Sequence, residues 1–507
     1  MGTAGPGGRR DGLTPDLLID RATLPRKTIE PVVRPSQTGL HAFWLGAAAL
    51  AGLSLSTHAS IVIPCFPVFC FFGGIVLLRL SAAYLTEFLV WLWILSPFLR
   101  RMVEFHAGGA DGALILTGPY IACCVPLCYL LPHVRRRFGF RLGPLALAFG
   151  ALVYGLAVGI AHYPPATVFK SFLLWFAPLT FSIFVCSNPD LFEDLYGGFR
   201  RSMIYGSLIA SIYGIYQFFF LPKWDAMWML NLGNDTFGDP EPMKVRVFGT
   251  MNSPQILALF LSVGILLSFH GKSKLRLFVA PLAIFAMSFT MARTAWVSLG
   301  TGFFYLFVKA RPKFKLQILA LTIASATVLV AALNNSQVAN AFSKRFSSLS
   351  NVQQDDSFVS RVDGHKALLV GMLNYPFGLG LGSQTTTIGP EAEEAKVSQN
   401  GAYILESDSS FAAVALSLGG AGLLMLGILF LRIAMSTFTH PVQRESYGEA
   451  VKLLCLVLAT EFMFQDIVNG PGGFISWTVI ALWLVYAQRS PSERQCKAVR
   501  QTAIAGS

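Results

Sequence analysis

A helix needs roughly 20 apolar residues to cross the hydrocarbon core of a bilayer, and this chain presents runs of that kind almost from end to end. Measured against that length, about 14 candidate spans lie near residues 40–57, 59–80, 82–99, 112–132, 142–161, 166–187, 202–221, 253–270, 277–291, 294–309, 316–334, 409–433, 448–467 and 471–488. The pattern implies one large helical membrane domain, whereas a length of 507 residues would otherwise suggest about three soluble ones. Composition agrees, with 54% of residues hydrophobic and 13% charged, about half the charged fraction of a soluble domain. The expected fold is an all-α polytopic membrane protein with about 12–14 transmembrane helices and a large, partly helical outer loop. The run from Leu277 to Val308 is too long for one span and short for two, so it is expected to form two short helices that turn near Met291 to Thr294.

The net charge of +12 would suggest nucleic acid on a soluble chain. Here the basic residues lie mostly in short segments between apolar runs, where the positive-inside rule puts them, so no nucleic acid is implied. With a cytoplasmic N-terminus, the inner side collects Arg135, Arg136, Arg137 and Arg141, then Arg200 and Arg201, then Lys272, Lys274 and Arg276, then Lys309, Arg311, Lys313 and Lys315. Arg100 and Arg101 fall on the outer side instead, which implies a re-entrant early segment or a role for them at the outer surface. The domain plan is a disordered cytoplasmic tail (1–37), transmembrane helices over 38–334 with a smaller outer loop at 222–250, a large periplasmic loop (335–407), C-terminal transmembrane helices (408–488) and a cytoplasmic tail (489–507). The first tail is Gly/Pro-rich and polar and lacks the apolar core of a cleavable leader.

Within the large loop, Val338, Phe342, Phe346 and Leu349 follow the spacing of a helix lying on the membrane surface, and a further helix is expected from Phe358 to Asn374, stopping at Pro376. Gly378, Gly380 and Gly382 read as a flexible turn, because the Lys and strand of a phosphate loop are missing. Seven of the eight cysteines, Cys65, Cys70, Cys123, Cys124, Cys128, Cys186 and Cys455, lie in apolar runs without metal or redox spacing and read as small core residues.

Charge at the rim of a bilayer is costly and marks a functional candidate. Arg246, Arg293 and Arg361 all meet that test on the outer side: before a span, at the tight turn between two short helices, and in the large loop. A guanidinium forks onto phosphate oxygens and keeps its charge, so three converging arginines would suit a diphosphate; the alternative is that each anchors a helix end by snorkelling. Glu406 and Asp408 stand where the large loop enters the next span. Either could deprotonate a sugar hydroxyl, and Asp408 could equally cap a helix. His365 reads as a solvated or helix-face residue without metal-ligand partners. Glu87 lies in an apolar span, where it contacts a headgroup or pairs with a neighbouring helix, and Trp224, Trp228 and Phe237 read as sugar-stacking or interfacial aromatics.

Four stretches then form a pattern: Arg246-x-x-Gly249-Thr-x-Asn252-x-Pro254, Ala292-Arg-Thr-Ala-Trp296, Asp356-Ser-x-x-x-Arg361 running to Pro376-x-Gly-x-Gly380, and Asp408-Ser-Ser followed by Gly419 to Gly422. In order and placement, across roughly residues 200–435, they resemble the O-antigen polymerase and ligase superfamily, the Wzy-type polymerases and WaaL-like ligases of bacterial surface polysaccharide. The resemblance implies a metal-independent membrane glycosyltransferase of the helical GT-C type, without cofactor, in the cytoplasmic (inner) membrane and active on its periplasmic face. It implies an undecaprenyl-diphosphate-linked glycan as substrate, with Arg246, Arg293 and Arg361 on the diphosphate; chain-length regulators or export proteins are further partners of that kind of chemistry. Ligases of the family place a histidine near the end of the large loop, where this chain has Asp408-Ser409, and that departure favours a polymerase over a ligase. A transporter or flippase of lipid-linked glycans is the alternative of another class; it would be expected to carry its charges near the midplane.

Overall fold

The computed structural model describes residues 37–130, 143–233, 237–270, 275–309, 372–383, 409–442 and 447–488, with a few positions between 315 and 327. Its helices are α1 (Gln37–Ser54), α2 (Val62–Leu80), α3 (Ala82–His106), α4 (Thr117–Leu130), α5 (Gly143–His162), α6 (Pro165–Ser187), α7 (Phe192–Phe220), α8 (Lys223–Leu232), α9 (Pro254–Ser268), α10 (Arg276–Thr290), α11 (Arg293–Lys309), α12 (Ser410–Thr439), α13 (Tyr447–Glu461) and α14 (Gly470–Ala487). Among the described residues, seven helical segments are long and apolar enough to cross a membrane, and three shorter apolar helices accompany them. The chain is an all-α polytopic membrane protein. Most of the 316–334 span, the first helix expected within the large loop, His365, Arg361, Glu406, Asp408 and the two tails fall outside the described residues; of the second expected loop helix only residues 372–374 are described, and they are helical and end before Pro376.

The helices run back and forth between two ends. At one end the C-terminus of α3 meets α8 and the segment before α9, through Arg101, Asp225 and Gly249; this is called the loop end below. At the opposite end Glu87 of α3 accepts from Arg201 of α7 at 2.6 and 2.8 Å, and Arg200 donates to the carbonyls of Leu267 and His270 beyond α9. Glu87 therefore has its partner on a neighbouring helix. The long run splits as its length requires: α10 stops at Thr290, Met291 takes a left-handed φ of 54°, and α11 starts at Arg293.

Helix α14 is the central staff, with 89% of its residues buried, including Trp477 and Trp483. It is apolar all round, as expected of a helix enclosed by others. Lipid provides no hydrophobic drive between helices, so close packing at small residues does that work. Gly198 on α7 illustrates it, since a Cβ there would stand 2.6 Å from the Ala83 carbonyl oxygen of α3. Cys70, Cys123 and Cys186 are indeed buried, but Cys65 and Cys128 are exposed on their helices, so the reading of all seven as core residues is corrected there.

The glycines after Pro376 are not a flexible turn. Gly378, Gly380 and Gly382 have φ of 75°, 87° and 109°, and the segment is a strap wedged between α5 and α12. Helix α12 is broken at Gly419, where φ is 60° and ψ −162°. A broken helix inside a membrane protein leaves backbone groups that water cannot satisfy. Here the strap satisfies them: Leu379 N donates to Leu416 O at 2.7 Å and Gly420 N to Pro376 O at 2.8 Å. On the other side Leu381 N donates to Gly155 O at 2.9 Å, and the Tyr154 hydroxyl donates to Phe377 O at 2.8 Å.

Candidate functional site

The motif from Arg246 to Pro254 forms the centre of the loop end, and it is held by a residue that sequence reasoning treated as an anomaly. Arg101, at the end of α3, is wholly buried. Its Nε donates to Asp225 Oδ1 at 2.7 Å, and its terminal nitrogens donate to Met251 O at 2.9 Å, Asn252 Oδ1 at 2.8 Å and Gly249 O at 2.6 Å. The guanidinium carbon lies 4.9 Å from the Phe248 ring centre and 5.5 Å from that of Trp228. Arg101 thus grips three positions of one short loop. Its neighbour Arg100 pairs with Glu104 at 2.6 Å. The two outward arginines therefore do act at the end of the bundle that carries the 222–250 segment.

The acidic partner is equally committed. Asp225 Oδ2 accepts from the Tyr213 hydroxyl at 2.7 Å and from Gln217 Nε2 at 2.5 Å, while Gln217 Oε1 accepts from the backbone N–H of Phe248 and Gly249 at 3.1 and 2.8 Å. A buried ion pair is tolerated only when the remaining lone pairs and protons are satisfied, and α7 supplies that satisfaction. Trp224 donates to the Tyr213 hydroxyl at 2.9 Å, and Trp228, 3% exposed, packs on Phe237 and Phe248. Neither sugar stacking nor interfacial anchoring describes Trp228 and Phe237, which are the apolar core under this loop. After Asn252, Ser253 caps α9 by accepting from Ile256 N, and Pro254 occupies the first turn, a favoured helix start.

Arg246 and Arg293 come to one place. Arg246 Nε donates to Thr290 O at 3.0 Å, and Val247 N donates to Phe289 O at 3.0 Å, so the motif loop lies along the turn from α10 to α11. Arg293 opens α11 three residues beyond Thr290 and is exposed. Two sequence motifs 47 residues apart thus meet at one turn at the loop end. Arg361, Glu406 and Asp408 lie outside the described residues.

The chain just beyond Asp408 is described, and it docks on a segment that sequence reasoning missed. Ser409 caps α12. Ser410 donates through Oγ and N to Gln465 O at 2.9 and 3.1 Å, and its Oγ accepts from Ile467 N at 2.8 Å. The segment 462–469 between α13 and α14 therefore underlies the entry to α12. Asp466 on it accepts from Val468 N at 3.1 Å and from Asn469 Nδ2 at 2.6 Å, and burial pushes its carboxyl up from an ordinary 3.8 to about 7, against the lowering effect of those bonds. Glu461, at the end of α13, accepts from Ser298 Oγ of α11 at 2.5 Å. The span expected at 448–467 absorbed both carboxylates, although an acid inside an apolar run is itself a signal.

Residues 277–427 match the family model Wzy_C, described as O-antigen ligase. That stretch contains α10, α11, the strap and the first part of α12. No curated protein and no solved structure matches the chain. The matched region holds Arg293 and the turn that receives Arg246, and it supports membership of the chain in the O-antigen polymerase and ligase superfamily.

Proposed function

We propose that this protein is a polysaccharide polymerase of the GT-C type, joining undecaprenyl-diphosphate-linked repeat units at the periplasmic face of the bacterial cytoplasmic membrane. The acceptor hydroxyl attacks the anomeric carbon of the donor sugar, the bond to the phosphate oxygen breaks, and the lipid diphosphate leaves. Arg246, Arg293 and Arg361 neutralise the charge that grows on the departing diphosphate, a kind of stabilisation that is often the largest catalytic contribution. Glu406 or Asp408 takes the acceptor proton, and no metal is needed for this charge balance. Chain-length regulators or export proteins would act beside the enzyme.

The observation that supports this reading is the bond from Arg246 Nε to Thr290 O, which brings the Arg246 motif onto the turn from which α11 opens on Arg293. Charge at the rim suits a headgroup diphosphate, whereas a transport pathway would place it near the midplane. Replacing Arg246, Arg293 and Arg361 singly by Ala should shorten the polymer made in cells. Undiminished chain length in all three variants would refute the assignment. The family description favours a second reading, an O-antigen ligase. A deletion strain that accumulates lipid-linked polymer would indicate the ligase, and one that accumulates single lipid-linked repeat units the polymerase.

A further inference from the structure

Below Arg293, the first turns of α11 face the end of α13, and two polar side chains buried there are left incomplete. Glu461 is 1% and Gln465 3% exposed. Glu461 Oε1 is bound by Ser298, but Glu461 Oε2 and both amide atoms of Gln465 have no hydrogen-bond partner among the described residues. Gln465 N donates to Glu461 O at 2.9 Å, so the two residues lie one helical turn apart on one side. Buried polar groups without partners are rare and costly, and each calls for a reason. Three such atoms on adjacent turns indicate a group that arrives with donors and acceptors of its own.

The chemistry of the vacant positions narrows that group. A carboxylate oxygen accepts only, and an amide both donates and accepts; neighbouring hydroxyls of a sugar ring do both and satisfy all three atoms. A diphosphate only accepts and would leave the acceptor atoms of Glu461 and Gln465 without a donor, and a polyprenyl chain would leave the polar atoms as unsatisfied as before. Ser298 lies five residues beyond Arg293, about 7.5 Å along α11 and about 140° round it, so the serine that binds Glu461 sits deeper along the helix than the arginine and on its inward face. Met463 and Phe464, between the two residues in the chain, are 50% and 51% exposed, so this segment reaches the surface of the protein.

We propose that Glu461, Gln465 and Ser298 form a subsite that binds the hydroxyls of the acceptor sugar, on the inward side of the helix that opens on Arg293. The assignment rests on the glycosyl-transfer reading above and says which residues receive the second substrate. The test uses the full-length protein in nanodiscs and two probes from its own host: the lipid-linked repeat unit, and the oligosaccharide released from it by mild acid. The wild type should bind the released oligosaccharide, and Glu461→Gln and Gln465→Leu should each weaken that binding about tenfold or more. Binding of the lipid-linked unit through its diphosphate should be lowered by Arg293→Ala and by neither of the other two substitutions at saturating oligosaccharide. Thermal melting of each variant shows whether it is folded, and the near-isosteric Glu461→Gln guards against collapse of the site. Oligosaccharide binding as tight in both variants as in the wild type would overturn the subsite. So would a wild type that does not bind the oligosaccharide, which would leave only water on these atoms. Full polymer length in the arginine variants, together with weakened oligosaccharide binding in Glu461→Gln, would instead keep the sugar site and remove the polymerase reading.

Discussion

At the scale of single residues, the two best-determined charges are Arg101 and Asp225, both wholly buried. Removing one partner of such a pair leaves the other uncompensated, at a cost of about 3–5 kcal/mol. Asp225→Ala should therefore lower the thermal midpoint of the purified protein sharply, and Arg101→Lys should do nearly as much, because an ammonium cannot reach Asp225, Met251, Asn252 and Gly249 together. A midpoint within a degree of wild type in both would show that the network is not structural. Asp466 makes a prediction of another kind. Its carboxyl ionises at about 7 in the folded chain and near 3.8 otherwise, so between those values the folded chain keeps a proton that the unfolded chain has lost. Ionisation of this group hence opposes folding, its cost growing as pH rises through that window and complete above about 7. Melting measured from pH 5 to pH 8 should show a steeper fall for wild type than for Asp466→Asn, and parallel curves would contradict the assignment. Arg246 and Arg293 were legible as single residues because charge beside an apolar run is conspicuous. Arg101 was equally conspicuous, yet its purpose was not, since its partners come from 124 to 151 positions away.

At the scale of elements, length and hydropathy located most helix boundaries within a few residues, but not the charged end of α3 at His106 or the charged start of α7 at Phe192. The pair α10 and α11 was legible because a mostly apolar run of 32 residues from Leu277 to Val308 has few ways to fit a bilayer of fixed thickness. Helix α8 was not separately legible, for its stability comes from Asp225 and Trp228 packing inward rather than from an apolar run. The strap was misread for the same reason: three glycines announce freedom in a sequence, while here positive φ and close backbone contact consume it. A Cβ on Gly159 would collide with the Leu381 carbonyl oxygen, whereas one on Gly427 meets nothing within 4 Å. Gly159→Val should cost about 1–3 kcal/mol or more by overpacking, and Gly427→Ala should stay within about 0.5 kcal/mol of wild type. Equal melting of the two variants would remove the strap from the account of the fold.

At the scale of the whole molecule, alternation of the helices sorts charge between two ends. Lys309 is exposed at the end of α11 away from the loops, while Lys244 is exposed, 56% at its side chain, on the segment before α9. In a background lacking the eight native cysteines, a cysteine at 244 should react with an impermeant maleimide added to spheroplasts, and one at 309 only after lysis. The reverse pattern would invert the topology and contradict the proposed periplasmic active face.

The amino-acid sequence determined the membrane environment, the helical class and nearly every helix that the structure describes, because solvation in lipid acts on each segment separately and can be read locally. It also singled out Arg246 and Arg293 as candidates, by the same argument. What only the tertiary structure decided is which polar groups satisfy one another: that Arg101 holds the Gly249–Asn252 loop, that the strap completes the broken α12, and that Glu461 and Gln465 retain unmatched atoms beneath Arg293. Those outcomes depend on geometry between segments far apart in the chain, and hydrogen bonds of that kind leave no periodic trace in any one of them.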